Sequence, residues 1–295
     1  MIDTFTPVSL EKQAEYAEII RTCPEATSDY SFANIYGWKD YYGLEWAFQG
    51  DMVWIRQTKP EVIYWAPVGP WQEYNWCDCK CIRDTGRFTR VPAGLAKIWE
   101  EAFDDIVLKE NRGHFDYVYD VQELIALKGN RFHKKKNLLK QFLKKYDFEY
   151  TPMGPECVEE VLEMQADWYQ WYEDNKPSKA LEAENHAIST VLKDFDCFKR
   201  LLGGTLRVDG KVIAYTVAEP LDSETMVIHF EKGNIQYKGI YQAINQLFLD
   251  NAGQAFKYVN REQDLGDEGL RKAKQSYHPV HFMEKYEASF GPITD

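Results

Sequence analysis

Apolar residues return at the spacing of one helical face through Glu156–Glu173, where Val158, Val161, Leu162, Trp168, Tyr169 and Tyr172 share a side. Leu181–Phe195 repeats the pattern with Leu181, Ile188, Val191, Leu192 and Phe195. The period then changes. Thr205–Glu219 reads as two strands around Asp209-Gly210, a step suited to a two-residue hairpin because both central positions take positive φ. Thr225–Gly233 predicts a third strand, Gly239–Ala252 a helix and Phe256–Asn260 a fourth strand. A short helix over Asp267–Tyr277, with Asp267 as N-cap, and a last strand over His281–Phe290 complete the pattern.

The first half follows a similar plan. Helical segments are expected near Leu10–Arg21 and Tyr30–Asp40, a hairpin over Leu44–Gln57 turning near Gln49–Asp51, and a strand over Glu61–Gly69. Ala93–Glu110 reads as a helix and Phe115–Asp120 as a strand. Phe115–Leu124 can be laid over Phe256–Leu265 at an offset of 141, with Phe, Tyr, Val, Gln and Leu coinciding. Together these support a duplication, joined near Tyr150–Pro155 where Pro and Gly punctuate the chain. The expected fold is α/β (α+β): two tandem subdomains, residues 1–152 and 153–295, each a mixed, mostly antiparallel sheet flanked by helices. The alternative is one α/β domain with chance matches. The element order resembles the acyltransferase fold of the N-acetyltransferases (GNAT-like).

Composition narrows the function classes. The chain has 295 residues, 44% hydrophobic and 15% aromatic, which excludes global disorder. Its net charge of −12 makes it a poor general binder of nucleic acid or anionic membrane, so a local basic patch is needed for either. No run of eighteen apolar residues predicts a transmembrane helix, and Met1–Gln13 lacks the features of a secretory signal, so a cytoplasmic location is expected. The six cysteines are then expected as thiols. Trp76–Cys81 alternates Cys with other residues rather than offering paired CxxC ligands, and no metal site is predicted.

Positive charge is concentrated in one place. Lys128–Lys145 holds eight Lys or Arg and no acid, so with a total of −12 the rest of the chain carries −20. Arg131, Lys134, Lys135, Lys136 and Asn137 cluster at the start of a predicted helix with Leu138, Leu139, Phe142 and Leu143 on its apolar face. Such a cluster suits the phosphate of a nucleotide, of coenzyme A or of an RNA acceptor end. A solvated helix face is the plainer alternative.

A second charged stretch lies at Asn260–Pro279. Glu262 and Asp264, at i and i+2 on or just after a strand, are expected to share a face, where a carboxylate can deprotonate or orient an attacking amine. Tyr277 is the candidate to return a proton to the leaving group. Arg271 and Lys274 fall on one side of the short helix and suit a phosphate or a carboxylate. Gly266 and Gly269 would let backbone approach a ligand closely. A salt-bridged turn is the alternative. Gln236 and Gly239 fit half of the turn by which N-acetyltransferases wrap the coenzyme A pyrophosphate, but Tyr241 stands where a small residue is expected.

The stretches Tyr117–Phe142 and Asn260–Pro279 together resemble the C-terminal catalytic domain of the phosphatidylglycerol lysyltransferase family. The resemblance implies a tandem acyltransferase fold similar to the Fem peptidoglycan-bridge transferases. It also implies transfer of an aminoacyl group from a charged tRNA. By position it places Arg131 and Lys134–Asn137 at the basic motif, and Glu262, Asp264, Arg271 and Lys274 at the second. The expected activity is therefore acyl or aminoacyl transfer to an amine or hydroxyl, with aminoacyl-tRNA or acyl-coenzyme A as donor substrate. The acceptor is expected to be a small molecule or peptide, with a lipid acceptor left open. An acyl-coenzyme A N-acyltransferase and a non-catalytic nucleotide- or RNA-binding member are the two alternatives.

Overall fold

The computed structural model describes residues 4–78, 82 and 86–290. Cys79 and Cys81, two of the three cysteines of the Trp76–Cys81 stretch, lie outside those residues. The chain forms two compact units. The first comprises Met1–Asp116, Gln263–Glu268 and Phe282–Asp295; the second comprises Tyr117–Glu262 and Gly269–His281.

The first unit is built on strands β1 (Thr6–Pro7), β2 (Leu44–Gln49), β3 (Met52–Gln57), β4 (Ile63–Val68), β5 (Arg87–Pro92) and β6 (Ile106–Glu110). The second sheet takes β7 (Asp116–Asp120), β8 (Phe148–Pro152), β9 (Leu202–Val208), β10 (Lys211–Pro220), β11 (Thr225–Gly233), β12 (Tyr258–Asn260) and β13 (His281–Met283). The last strand, β14 (Lys285–Phe290), returns to the first sheet. The orders are β1-β2-β3-β4-β5-β14-β6 and β8-β9-β10-β11-β12-β7-β13. In each, the fourth and fifth strands run parallel while the described neighbours around them are antiparallel.

The shared order bears out the tandem, GNAT-like architecture, but the matching letters do not fall on equivalent strands of the two halves. Strand order sets β12 against β5 and β7 against β14, whereas the 141-residue offset lays β7 on β12. Those two are direct neighbours, Val259 opposite Tyr119. The matched residues do not share surroundings either: Leu124 is buried and Leu265 exposed. The helix expected over Ala93–Glu110 also divides, into a helix Ala93–Ala102 and strand β6. The expected strand His281–Phe290 divides likewise between the two sheets. The join expected at Tyr150–Pro155 lies inside the second unit, where β8 pairs with β9.

Local chemistry sets the elements. Ser178 caps the helix Lys179–Lys193 by accepting from Leu181 N at 3.1 Å. Asp209 and Gly210 take φ of 51° and 77° between β9 and β10, as the hairpin demands. In the second unit, helix Ile240–Phe248 buries Ile240, Ala243, Ile244 and Phe248 in a core with Ile213, Met226, Val259 and Phe142. Phe142 belongs to the basic helix His133–Lys145, whose buried residues are Leu139 and Phe142 and whose lysines range from exposed to partly buried. Among the described residues, no helix is long and apolar enough to cross a membrane.

Candidate functional site

The second sheet opens where its two parallel strands part. β11 and β12 pair at Thr225–Tyr258, Met226–Val259 and Val227–Asn260. β12 ends there, while β11 runs on to Gly233. The backbone beyond Asn260 stays with β7 instead: Arg261 N donates to Tyr117 O at 2.9 Å, and Tyr117 N to Glu262 O at 3.2 Å. Side chains then span what the backbone leaves. Arg261 donates to Glu231 Oε1 at 2.8 Å, and His229 Nδ1 meets Glu262 Oε1 at 2.9 Å.

Glu262 adopts φ of 57°, and the buried Asn260 side chain holds this turn by accepting from Glu262 N at 2.8 Å. Its carboxylate is mostly covered. The other nitrogen of His229, Nε2, lies 3.2 Å from Glu219 Oε1. A carboxylate only accepts, so an imidazole lying between two of them donates from both nitrogens and is charged. Burial opposes that charge, but the hydrogen bonds and charges of Glu219 and Glu262 outweigh it and raise the His229 pKa to about 9.

Next to this chain lies a second polar group. Glu231 also accepts from Asn245 Nδ2 at 2.9 Å, which fixes it against Arg261. The Arg261 guanidinium stands 5.0 Å from the Tyr277 ring centroid, and the Tyr277 hydroxyl accepts from Gln242 Nε2 at 3.1 Å. Burial raises the Tyr277 pKa, and Arg261 and Gln242 work against that rise. Lys135 Nζ lies 4.1 Å from the centroid of the same ring. Burial and then the charge of Arg261 hold the Lys135 pKa down to about 8. Lys274 Nζ donates to the Arg261 carbonyl at 2.6 Å, so the short helix Glu268–Gln275 anchors this segment.

The structure thus gathers Glu262, Tyr277, Lys135 and Lys274 around Arg261. Asp264 is placed differently. It is buried in the first unit, accepts from Gly266 N at 2.9 Å and faces Arg112 Nη1 at 3.4 Å. Neither Glu262 nor Asp264 lies in a strand, so the alternation expected to give them one face does not apply. Arg131 is spent on Glu123. Lys134 and Asn137 are exposed, Asn137 facing the His133 ring at 3.3 Å, and Lys136 and Arg271 are partly buried.

At the expected coenzyme A turn, Gln236 is exposed and its backbone N–H donates to Asn234 Oδ1 at 3.0 Å. Gly239 has φ of 91°, and a Cβ there would lie 2.3 Å from Leu138 O. Its glycine is therefore explained by the close approach of two helices. Tyr241 accepts from Trp168 Nε1 at 3.3 Å.

Residues 20–289 match the family model described as phosphatidylglycerol lysyltransferase, C-terminal. The chain belongs to this family. Among solved structures, this lysyltransferase-family chain is similar to a conserved protein of unknown function from Bacteroides thetaiotaomicron. The two share 30% identity over 99% of this chain and 100% of that one, with a TM-score of 0.90. It is similar in fold to L-PGS from Bacillus licheniformis (13% identity, 98% and 93% covered, TM-score 0.68) and to FemX (6% identity, 97% of both chains, TM-score 0.60). It also shares 22% identity over 204 residues with an uncharacterised protein of Mycoplasmoides gallisepticum, matching 65% of this chain and 61% of that relative's length. The family and fold are those of acyl- or aminoacyltransferases.

Sequence reasoning missed Arg261, His229, Glu219, Glu231, Gln242 and Asn245. A signal existed: His229 and Glu231 are polar residues two apart that follow the apolar Met226–Ile228 in β11, which places them on one face.

Proposed function

We propose that this protein takes an aminoacyl group from a charged tRNA and passes it to a soluble amine or hydroxyl acceptor at the parting of β11 and β12. The observation that carries the reading is the pair of polar side-chain bridges, His229–Glu262 and Arg261–Glu231, at the point where backbone pairing stops. Glu262 orients the attacking amine or hydroxyl. The nucleophile attacks the ester carbonyl, the new C–N or C–O bond forms, and the bond to the ribose oxygen breaks. The leaving oxygen takes the Tyr277 proton, and the proton released by the nucleophile restores the phenol. Tyr277 suits this role because its hydroxyl already accepts from Gln242 beside the Arg261 guanidinium, while its own proton meets no acceptor among the described residues.

The Tyr241–Trp168 hydrogen bond and the packing of Gly239 on Leu138 favour this donor over acyl-coenzyme A. Cytoplasmic function is part of the same proposal. The deciding experiment incubates the protein with charged tRNA and a panel of amines and hydroxyl compounds, and follows release of uncharged tRNA with product. Transfer supports the reading. Stabilisation by acetyl-coenzyme A with transfer of its acetyl group would replace it. Equal thermal stabilisation by charged and bare tRNA without transfer would point to a binding protein.

A further inference from the structure

The basic run contains one lysine whose setting differs from a solvated face. Lys134, Lys140, Lys144 and Lys145 are exposed, and Arg131 is neutralised by Glu123. Lys135 instead turns its ammonium onto the buried Tyr277 ring, beside the largely buried Arg261. It has no carboxylate partner among the described residues. Arg261 does not supply one: its Glu231 is already shared with Asn245.

A half-buried ammonium next to a second cation, with no anion of its own, is an unfavourable arrangement in isolation. It becomes favourable when an anion enters. Burial and the charge of Arg261 both act against the Lys135 ammonium. Lys135 and Arg261 both approach the Tyr277 ring, at 4.1 and 5.0 Å from its centroid, so an anion bound there would lie within reach of charge-assisted donors.

We infer that Lys135 and Arg261, flanking Tyr277, form a binding site for the phosphate group of a nucleotide. This deepens the transferase reading and rests on it for one detail only, that the nucleotide is the donor's terminal one, whose ribose oxygen meets Tyr277. The phosphate chemistry is shared by an RNA end and by coenzyme A.

Calorimetric titration with AMP, coenzyme A, inorganic phosphate and, as an uncharged control, adenosine tests the site without requiring transfer. Lys135→Gln is expected to weaken AMP and inorganic phosphate by about tenfold or more, with Lys135→Arg retaining most affinity and Lys134→Gln changing it by less than about twofold. Adenosine binding should be the same in all variants. Coenzyme A weakened in parallel with phosphate would identify it as the source and still support the site, while overturning the donor named above. Unchanged AMP and phosphate affinity in Lys135→Gln, or an equal loss in Lys134→Gln, would overturn the inference. The melting temperature of each variant, together with the Lys135→Arg rescue, separates lost binding from lost folding.

Discussion

His229 Nδ1 donates to Glu262 Oε1 at 2.9 Å while Nε2 of the same ring faces Glu219 at 3.2 Å. One buried cation therefore joins the middle of β11 to the turn after β12 and to β10. The folded pKa near 9 lies above the ordinary value of 6.5. The folded protein then binds the proton more tightly than the unfolded chain. The stabilisation from this proton is full below pH 6.5 and is lost as pH rises through 9. Thermal melts of wild type and His229→Gln between pH 6 and 10 should show the largest difference at the acid end and convergence above 9. A constant difference across that range would remove the imidazolium from the account.

Tyr277→Phe should leave the fold nearly intact, since the ring and its cation contacts remain. In a transfer assay it should lower kcat by about 10²-fold with little change in KM. Loss confined to KM would instead assign the hydroxyl to binding.

Gly239→Ala is expected to destabilise by about 2–4 kcal/mol, combining a positive φ with overpacking. The added Cβ would lie 2.3 Å from Leu138 O, a backbone atom that cannot rotate away. Urea denaturation measures it. A cost below about 1 kcal/mol, the range of a bare glycine effect, would mean that the two helices separate freely.

In the first unit, Lys285 is fully buried, pairs with Asp29 and donates to Asp116 at 2.6 Å. Arg90 also donates to Asp29, at 2.8 Å. Lys285→Met leaves the Asp116 carboxylate without this cation and should cost about 3–5 kcal/mol. Combining it with Asp116→Asn should recover part of that loss, because the second change removes the stranded charge. Chemical denaturation of both variants checks the order.

How far the sequence revealed all this depended on what each signal measured. Periodicity reports burial, so Val158–Asn175, Lys179–Lys193 and the Asp209-Gly210 hairpin were legible. It failed at Ala93–Glu110, where an apolar run continues across a change from helix to strand. Charge density drew attention to Lys134–Lys136 but could not tell which lysine is turned inward. Only packing against Tyr277 distinguishes Lys135. Glu262 and Asp264 looked equivalent because strand alternation was assumed to continue past Asn260. The positive φ at Glu262 ends it. Arg261 was overlooked for a related reason: its partners Glu231 and Tyr277 are distant in sequence and meet it only through the fold.

The placement of β14 between β5 and β6 bears on how the molecule is made. Both flanking strands are synthesised early, yet the strand that joins them follows every strand of the second sheet in the chain. Until then β5 and β6 expose unpaired edges, a state that favours wrong partners and calls for chaperone protection. A stop codon placed just before Lys285 would thus remove an inner rung of the earliest-made sheet, and soluble yield should fall sharply.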